Sequence, residues 1–429
     1  MEESPSADLS AGEIAQAAKP LTLALPMLFP PSATPEARRL VAARTVRGFA
    51  DGLVSITLAS YLHGLGFSAF EIGAIVTTTL VGSAAMTLWI GVRGGRINPR
   101  STLIFGTALM AMTGLGFATF TSFWPLMVVG FLGTLNPSAG DVSLFLPIEQ
   151  SLLSERVSNS ERTSLFARYT LGGSFAGALG ALAAALPGFI SRGFDVDLGE
   201  VQRGVFVLYA LTALVVVAIY LPLRIAPRAA TELGGLGKSR SVVFKLSALF
   251  SLDSFGGGFV VQSLLALWLF KRFDLSVEVT GTVFFVAGML SAGSQLVSPV
   301  LARRIGLVRT MVFTHLPANV CLILAALMPT APLAIALLLA RMALSQMDVP
   351  ARQSYVMSVV PPEARAAAAS VTNVPRSLAA AFSPLLSGAL LGAATIGLPL
   401  IAGGSCKIIY DLLLLRQFGE LRPEEERTA

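Results

Sequence analysis

The sequence predicts an all-α polytopic membrane protein, with twelve transmembrane helices arranged as two pseudo-symmetric six-helix bundles. Three observations carry this reading. Of 429 residues, 54% are hydrophobic and only 13% are charged, whereas a soluble domain covers its surface with about 25% charged residues. Apolar runs of roughly 20 residues, the length of a bilayer-spanning helix, recur along the chain. The second half also repeats the first. Residues 68–76 (SAFEIGAIV) align with 276–284 (SVEVTGTVF) at an offset of 208. Pro147-Ile-Glu-Gln-Ser151 aligns with Pro350-Ala-Arg-Gln-Ser354, and Arg162 with Arg365, at an offset of 203. Two parallel six-span repeats suit a carrier that rocks one half against the other around a midplane site.

The expected spans are roughly 45–66, 72–92, 101–121, 124–146, 163–186, 205–223, 242–270, 280–301, 308–328, 331–350, 366–391 and 395–415. Residues 1–44 are read as a cytoplasmic tail. Their apolar patch is broken by Pro20, Pro26, Pro30 and Pro31 and lacks the features of a signal peptide. Residues 45–223 form the first bundle, 224–241 a cytoplasmic interbundle loop, 242–415 the second bundle, and 416–429 a cytoplasmic tail. Loop charge sets the orientation. With both termini in the cytoplasm, sixteen Arg and Lys fall on that side; Arg192, Arg203, Lys271 and Arg272 fall on the other. This places the protein in the plasma (inner) membrane as a multi-pass chain.

The net charge of +6 resides in short loops, which argues against nucleic acid as a partner. Cys321 and Cys406 lie in apolar runs, which excludes a disulfide framework. His63 and His315 lack metal-ligand spacing and are read as structural or cavity-lining groups. No metal and no cofactor is expected.

The loop after span 2, Gly91-Val-Arg-Gly-Gly-Arg-Ile-Asn-Pro-Arg100, and its counterpart Leu301-Ala-Arg-Arg-Ile-Gly-Leu-Val-Arg309 resemble the G-x-L-x-D-R-x-G-R-R loop of the major facilitator superfamily. Arg96, Arg100, Arg304 and Gly306 match it. Gly95 and Arg303 stand where the family has Asp, which implies an altered latch between the halves. Gly172-Gly173-x-x-x-Gly177-x-x-Gly180 in span 5 is similar to the antiporter motif of drug:proton exchangers, without its Pro. Read physically, small residues at i, i+4 and i+7 form a groove that another helix backbone can enter. The resemblance implies that spans 1, 4, 7 and 10 line a central cavity and that the protein works as a monomer.

Charged and polar residues inside spans mark functional candidates, because a charge at the bilayer centre costs about 2.5–3.5 kcal/mol on insertion scales. Asp51 on span 1, Asp141 on span 4 and Asp253 on span 7 are candidates for proton coupling. Arg341 and Asp348 on span 10, Asn136 on span 4, and Asn373 and Arg376 on span 11 are candidates for the substrate cavity. Arg341, Ser345, Asp348 and Arg352 share one helix face. Asp348 and Arg352 fit a loop-proximal ion pair, and Lys407 and Asp411, spaced i, i+4, are expected to satisfy each other. Glu161-Arg162 and Glu363-x-Arg365 recur after the repeated Pro-x-x-Gln-Ser and are read as gating-loop scaffold. Arg341, Asp348 and Arg376 align with Ser138, Phe145 and Gly173, so these charges belong to one half only.

These features imply a secondary active transporter of a small molecule, with proton-coupled efflux as the leading reading. The chain has no G-x-x-x-x-G-K-[ST] motif for nucleotide, so the carrier would run on gradients. The alternative is uptake of an organic anion held by Arg341 and Arg376. A third reading, a non-transporting sensor or intramembrane enzyme, finds no Ser/His pairing or metal cluster in the sequence.

Overall fold

A computed structural model describes residues 33–93, 98–137, 144–154, 156, 162–224, 239–360, 365–393 and 397–419. Sixteen helices follow one another among them: α1 (Pro35–Gly64), α2 (Ala69–Arg93), α3 (Pro99–Thr119), α4 (Phe123–Leu132), α5 (Phe145–Ser154), α6 (Arg162–Ala183), α7 (Leu186–Phe194) and α8 (Leu198–Tyr220) in the first half; α9 (Arg240–Gly258), α10 (Gln262–Phe273), α11 (Val277–Ile305), α12 (Leu307–Leu327), α13 (Ala331–Ser345), α14 (Asp348–Ser358), α15 (Arg365–Ala393) and α16 (Leu398–Phe418) in the second. Ten stretches of the described residues are long and apolar enough to cross a membrane. The remaining two of the twelve expected spans are α1 and the interrupted α4–α5. Helix α1 starts at Pro35 with Thr34 as its cap, ten residues before the expected span, and it carries Arg38, Arg39, Arg44, Arg47 and Asp51.

Four expected single spans are interrupted, and in spans 4 and 10 neighbouring side chains take up freed backbone groups. Span 4 was expected to be continuous over 124–146. Helix α4 instead ends at Leu132, before Gly133, and Asn136 and Pro137 are not helical. There Thr113 Oγ1 accepts from the Thr134 amide at 3.2 Å, and Tyr209 donates to the Thr134 carbonyl at 3.3 Å. The Ser263 amide, just past the break of span 7, donates to the Pro137 carbonyl at 3.2 Å. Span 10 breaks at Gln346–Met347, where Ser298 donates to the Met347 carbonyl at 2.5 Å. Span 5 breaks between α6 and α7.

The packing repeats as the sequence does. Helix α1 packs on α6 and α8, as α9 packs on α15 and α16; α3 packs on α8, as α12 packs on α16. The bundles meet along two equivalent seams, α2 with α15 and α6 with α11. Glycine makes these approaches possible. A Cβ on Gly73 would lie 2.6 Å from the Pro384 carbonyl oxygen, and one on Gly281 would lie 2.5 Å from that of Ala181. The span 5 glycines are used within the first bundle. Gly173, Gly177 and Gly180 meet the α1 backbone at Gly48, Gly52 and Phe49, as the i, i+4, i+7 groove predicted.

Buried apolar side chains fall into three clusters. One joins both bundles at the face away from the chain termini and includes Tyr61, Phe117, Trp268 and Leu322. The other two lie at the termini face, and each stays within one bundle: Leu40, Phe145 and Leu153 in the first, Phe250, Met311 and Tyr355 in the second. The bundles are therefore joined at the far face and have separate cores at the termini face. Arg192 of α7 and Glu278 of α11 add an ion pair of 2.8 Å across the far-face seam. Outward-facing Phe105, Met112, Leu211 and Leu214 are exposed, the apolar surface a bilayer covers.

Candidate functional site

Two buried charge clusters occupy the bundles. In the first, Arg47 of α1 donates to Glu149 of α5, and the two side chains are 2% and 0% exposed. The Glu149 carboxylate also accepts from the Tyr169 hydroxyl at 2.6 Å and from the Tyr220 hydroxyl. The Arg47 guanidinium lies 3.9 Å from the centre of the Phe145 ring. Asp51, one turn along α1, is buried with Arg47, Arg44 and the Asn136 side chain as neighbours.

In the second bundle, Asp253 of α9 accepts from Lys407 of α16 at 2.6 Å and from Arg352 of α14 at 3.1 Å. Arg352 also pairs with Asp348 at 3.3 Å, the ion pair read from the sequence. The expected Lys407–Asp411 pair does not form. Lys407 turns to Asp253, and Asp411 meets His315 of α12, with Nδ1 2.9 Å from Oδ1. Tertiary packing brings two better partners than the helix neighbour does. Asn319 donates to Asp411 Oδ2 at 3.1 Å, and His315 Nε2 lies 3.7 Å from Asp253 Oδ1.

The two clusters sit at equivalent points of the fold. Gly52 of α1 meets Gly177, and Gly258 of α9 meets Ala380. Five residues before these glycines stand Arg47 and Asp253. Their partners Glu149 and Arg352 occupy the same place in the repeated Pro-x-x-Gln-Ser. The ion pair is thus repeated with its signs exchanged. Sequence reasoning left out Tyr169 and Tyr220, read His315 as a structural or cavity-lining group, and paired Lys407 with Asp411. The Glu149–Arg352 exchange within an otherwise repeated motif was the available signal.

Arg341 stands apart. It is half-buried, and it donates a weak hydrogen bond from Nη1 to Met342 Sδ at 3.2 Å; Nε is buried without a partner among the described residues. One turn on, the Ser345 hydroxyl is likewise buried without a partner, in a residue 7% exposed. The break at Gln346 separates these two from Asp348 and Arg352, so the predicted four-residue stripe is two pairs. Arg376 donates to Ser254 at 3.0 Å and to Asn373 at 3.4 Å. Arg100 donates to the Leu221 carbonyl and ties α3 to the end of α8. Arg304 is exposed, and Gly306, at φ 91°, joins α11 to α12; that backbone geometry favours glycine. Asp141, Arg96, Glu161 and Glu363 lie outside the described residues, as do the side chains of Arg162 and Arg365.

A sequence profile of the Major Facilitator Superfamily matches residues 40–384. The chain belongs to this superfamily. An uncharacterized membrane protein of Saccharomyces cerevisiae is 26% identical over 433 residues, spanning 90% of this chain and 94% of the yeast protein. Among solved structures, a point mutant of the nucleoside transporter NupG superposes with a TM-score of 0.71 at 15% identity, covering 89% of this chain and 100% of the other. The inward-open xylose transporter XylE from E. coli has a TM-score of 0.71 at 14% identity, covering 91% of this chain and 98% of the other. A substrate-free, inward-facing bacterial homologue of the human lysosomal transporter Spinster gives 0.65 at 16%, covering 90% and 95%. This superfamily member is a multi-pass transporter and not an enzyme. Its two clusters hold opposite charges together out of water.

Proposed function

We propose that this protein is a gradient-driven carrier of a small organic anion, whose negative group is held by Arg341 and Ser345. The observation that carries this is the buried pair of donors on one turn of α13, neither with an oxygen acceptor among the described residues. Arg341 has no carboxylate within ion-pair distance there, and a guanidinium stays charged at physiological pH. A cation in this position calls for an anion, and Arg is suited to bidentate carboxylate or phosphate. Efflux coupled to protonation of Asp51, Asp141 or Asp253 has less to support it. Of these, Asp253 is already engaged by two cations, and Asp141 lies outside the described residues.

Separate cores at the termini face and a joined core at the far face fit one state of an alternating-access cycle. With the basic loops in the cytoplasm, that state is open inward, and both termini are cytoplasmic at the plasma membrane. The structural neighbours include a nucleoside transporter and a xylose transporter, so the fold leaves the substrate class to the site. A thermal-shift screen of the purified protein tests the reading, with monocarboxylates, dicarboxylates and sugar phosphates set against neutral sugars and nucleosides. Anions are expected to stabilise wild type and not Arg341→Gln. Stabilisation by neutral solutes alone, equal in both proteins, would overturn the proposal.

A further inference from the structure

A third buried donor accompanies Arg341 and Ser345 from another helix. On α11, Ser291, Ser294 and Ser298 stand at i, i+3 and i+7, a spacing that keeps them on one side of the helix. Ser298 reaches the break of span 10 and donates to the Met347 carbonyl at 2.5 Å. Ser294 donates to the Ser291 carbonyl, within its own helix, at 2.9 Å. The Ser291 hydroxyl is buried without a partner among the described residues, and the residue is 9% exposed.

The Ser298–Met347 contact sets the depth of these groups. Helices α11 and α13 pack on each other. One membrane-crossing helix, α12, separates them in the chain, so they run in the same direction. Seven residues back from Ser298 is Ser291, and six back from Met347 is Arg341. At about 1.5 Å per residue these steps are about 10 Å and 9 Å, which puts Ser291 at the depth of Arg341. Seven residues are nearly two full turns, so Ser291 points as Ser298 does, toward span 10. Gly288, three residues earlier on α11, packs on Ala178 of α6. Ser291 therefore faces the angle between α13 and the first bundle, where a solute held between the bundles would lie.

The donors can be counted against an acid group. Arg341 has Nη1 on Met342 Sδ, which leaves Nε and Nη2 as a fork for two oxygens. Ser345 and Ser291 add one O–H each. Four donors match a carboxylate, whose two oxygens offer about four lone-pair sites. A sulfonate or a phosphate has a third oxygen that this set leaves without a donor. Charge points the same way. In the second bundle Asp253, Asp348 and Asp411 already balance Arg341, Arg352 and Lys407. A carboxylate adds one negative charge to that set, and a phosphate monoester about 1.5 to 2.

We propose that the transported solute is a carboxylate, and that Ser291 of α11 holds it together with Arg341 and Ser345. This rests on the anion reading above and narrows it to one acid group. Ser291 adds to the site a span outside the four that the family resemblance assigns to the cavity.

Titration calorimetry of the full chain tests this with acetate, succinate and benzoate set against methanesulfonate, methyl phosphate and phenyl phosphate. A carboxylate is expected to bind more tightly than the sulfonate and both phosphates. Ser291→Ala is expected to weaken that binding about tenfold, the loss of a hydrogen bond to a charged group. Its ligand-free unfolding midpoint should not fall, because the hydroxyl removed had no partner. Ser294→Ala, whose hydroxyl is engaged within its own helix, is expected to bind as wild type does. A sulfonate or phosphate that binds more tightly than every carboxylate overturns the proposal and leaves the anion reading standing. So does a carboxylate held equally by wild type and Ser291→Ala, or an equal loss in Ser291→Ala and Ser294→Ala, which would mark a packing effect. Binding of none of these anions overturns both readings.

Discussion

In the first bundle, Arg47 of the first span meets Glu149 of the fourth. In the second, Asp253 of the seventh span meets Arg352 of the tenth. Both pairs sit five residues ahead of a glycine that docks the helix on its neighbour, yet their surroundings differ. Glu149 is completed by two tyrosine hydroxyls, neutral donors that hold their protons at physiological pH. Asp253 is completed by Lys407 and bordered by a histidine that itself holds Asp411. The first arrangement is a fixed clamp that joins spans 1, 4, 5 and 6. The second joins three carboxylates to Lys407, Arg352 and His315, and it has nearby, on α13, an arginine without a carboxylate among the described residues. A duplicated fold has kept its packing and divided its electrostatics, with one cluster closed by neutral hydroxyls and the other by further charged groups.

Breaking each cluster at its cation separates the two roles. Arg47→Leu leaves Glu149 buried without a counter-ion, and orphaning one member of a buried pair costs about 3–5 kcal/mol. The expected result is a large loss in the detergent unfolding midpoint. Lys407→Met should cost less, about 1–3 kcal/mol, because Arg352 still serves Asp253. Equal losses would mean that the second cluster is as rigidly built as the first. Gly52→Ala drives a methyl into the Gly177 carbonyl and should cost about 1–3 kcal/mol through overpacking, measured in the same unfolding assay. Arg192→Ala removes an exposed pair worth less than about 1 kcal/mol. Its visible effect should be a more open far face, read as faster labelling of a cysteine placed at the α7–α11 seam.

The fold class, the repeat and the glycine groove were legible because each follows from local pattern: apolar length, motif offset and small-residue spacing. The breaks were less so. Gly133 and Pro137 announce the one in span 4, whereas the signal for Gln346–Met347 stands four residues downstream, where Pro350 has no N–H for the Gln346 carbonyl, and Ser298 on another span donates to the Met347 carbonyl. The ion pairs divide the same way. Asp348–Arg352, one turn apart, was readable. Lys407 and Asp411 have the same spacing, yet their partners lie 154 and 96 residues away in sequence. Helical periodicity fixes which side chains can meet along one helix and says nothing of which helix lies opposite.

The central claim is that the substrate's charge is received at Arg341, in the second bundle, while the arginine of the first is committed to Glu149. The affinity of a stabilising anion for wild type, Arg341→Lys and Arg341→Gln, by titration calorimetry, tests this most directly. The account predicts a loss of about 10- to 150-fold in Arg341→Gln, the equivalent of about 1.5–3 kcal/mol for hydrogen bonds to a charged group, with a smaller loss in Arg341→Lys. An anion that binds all three proteins equally would contradict it.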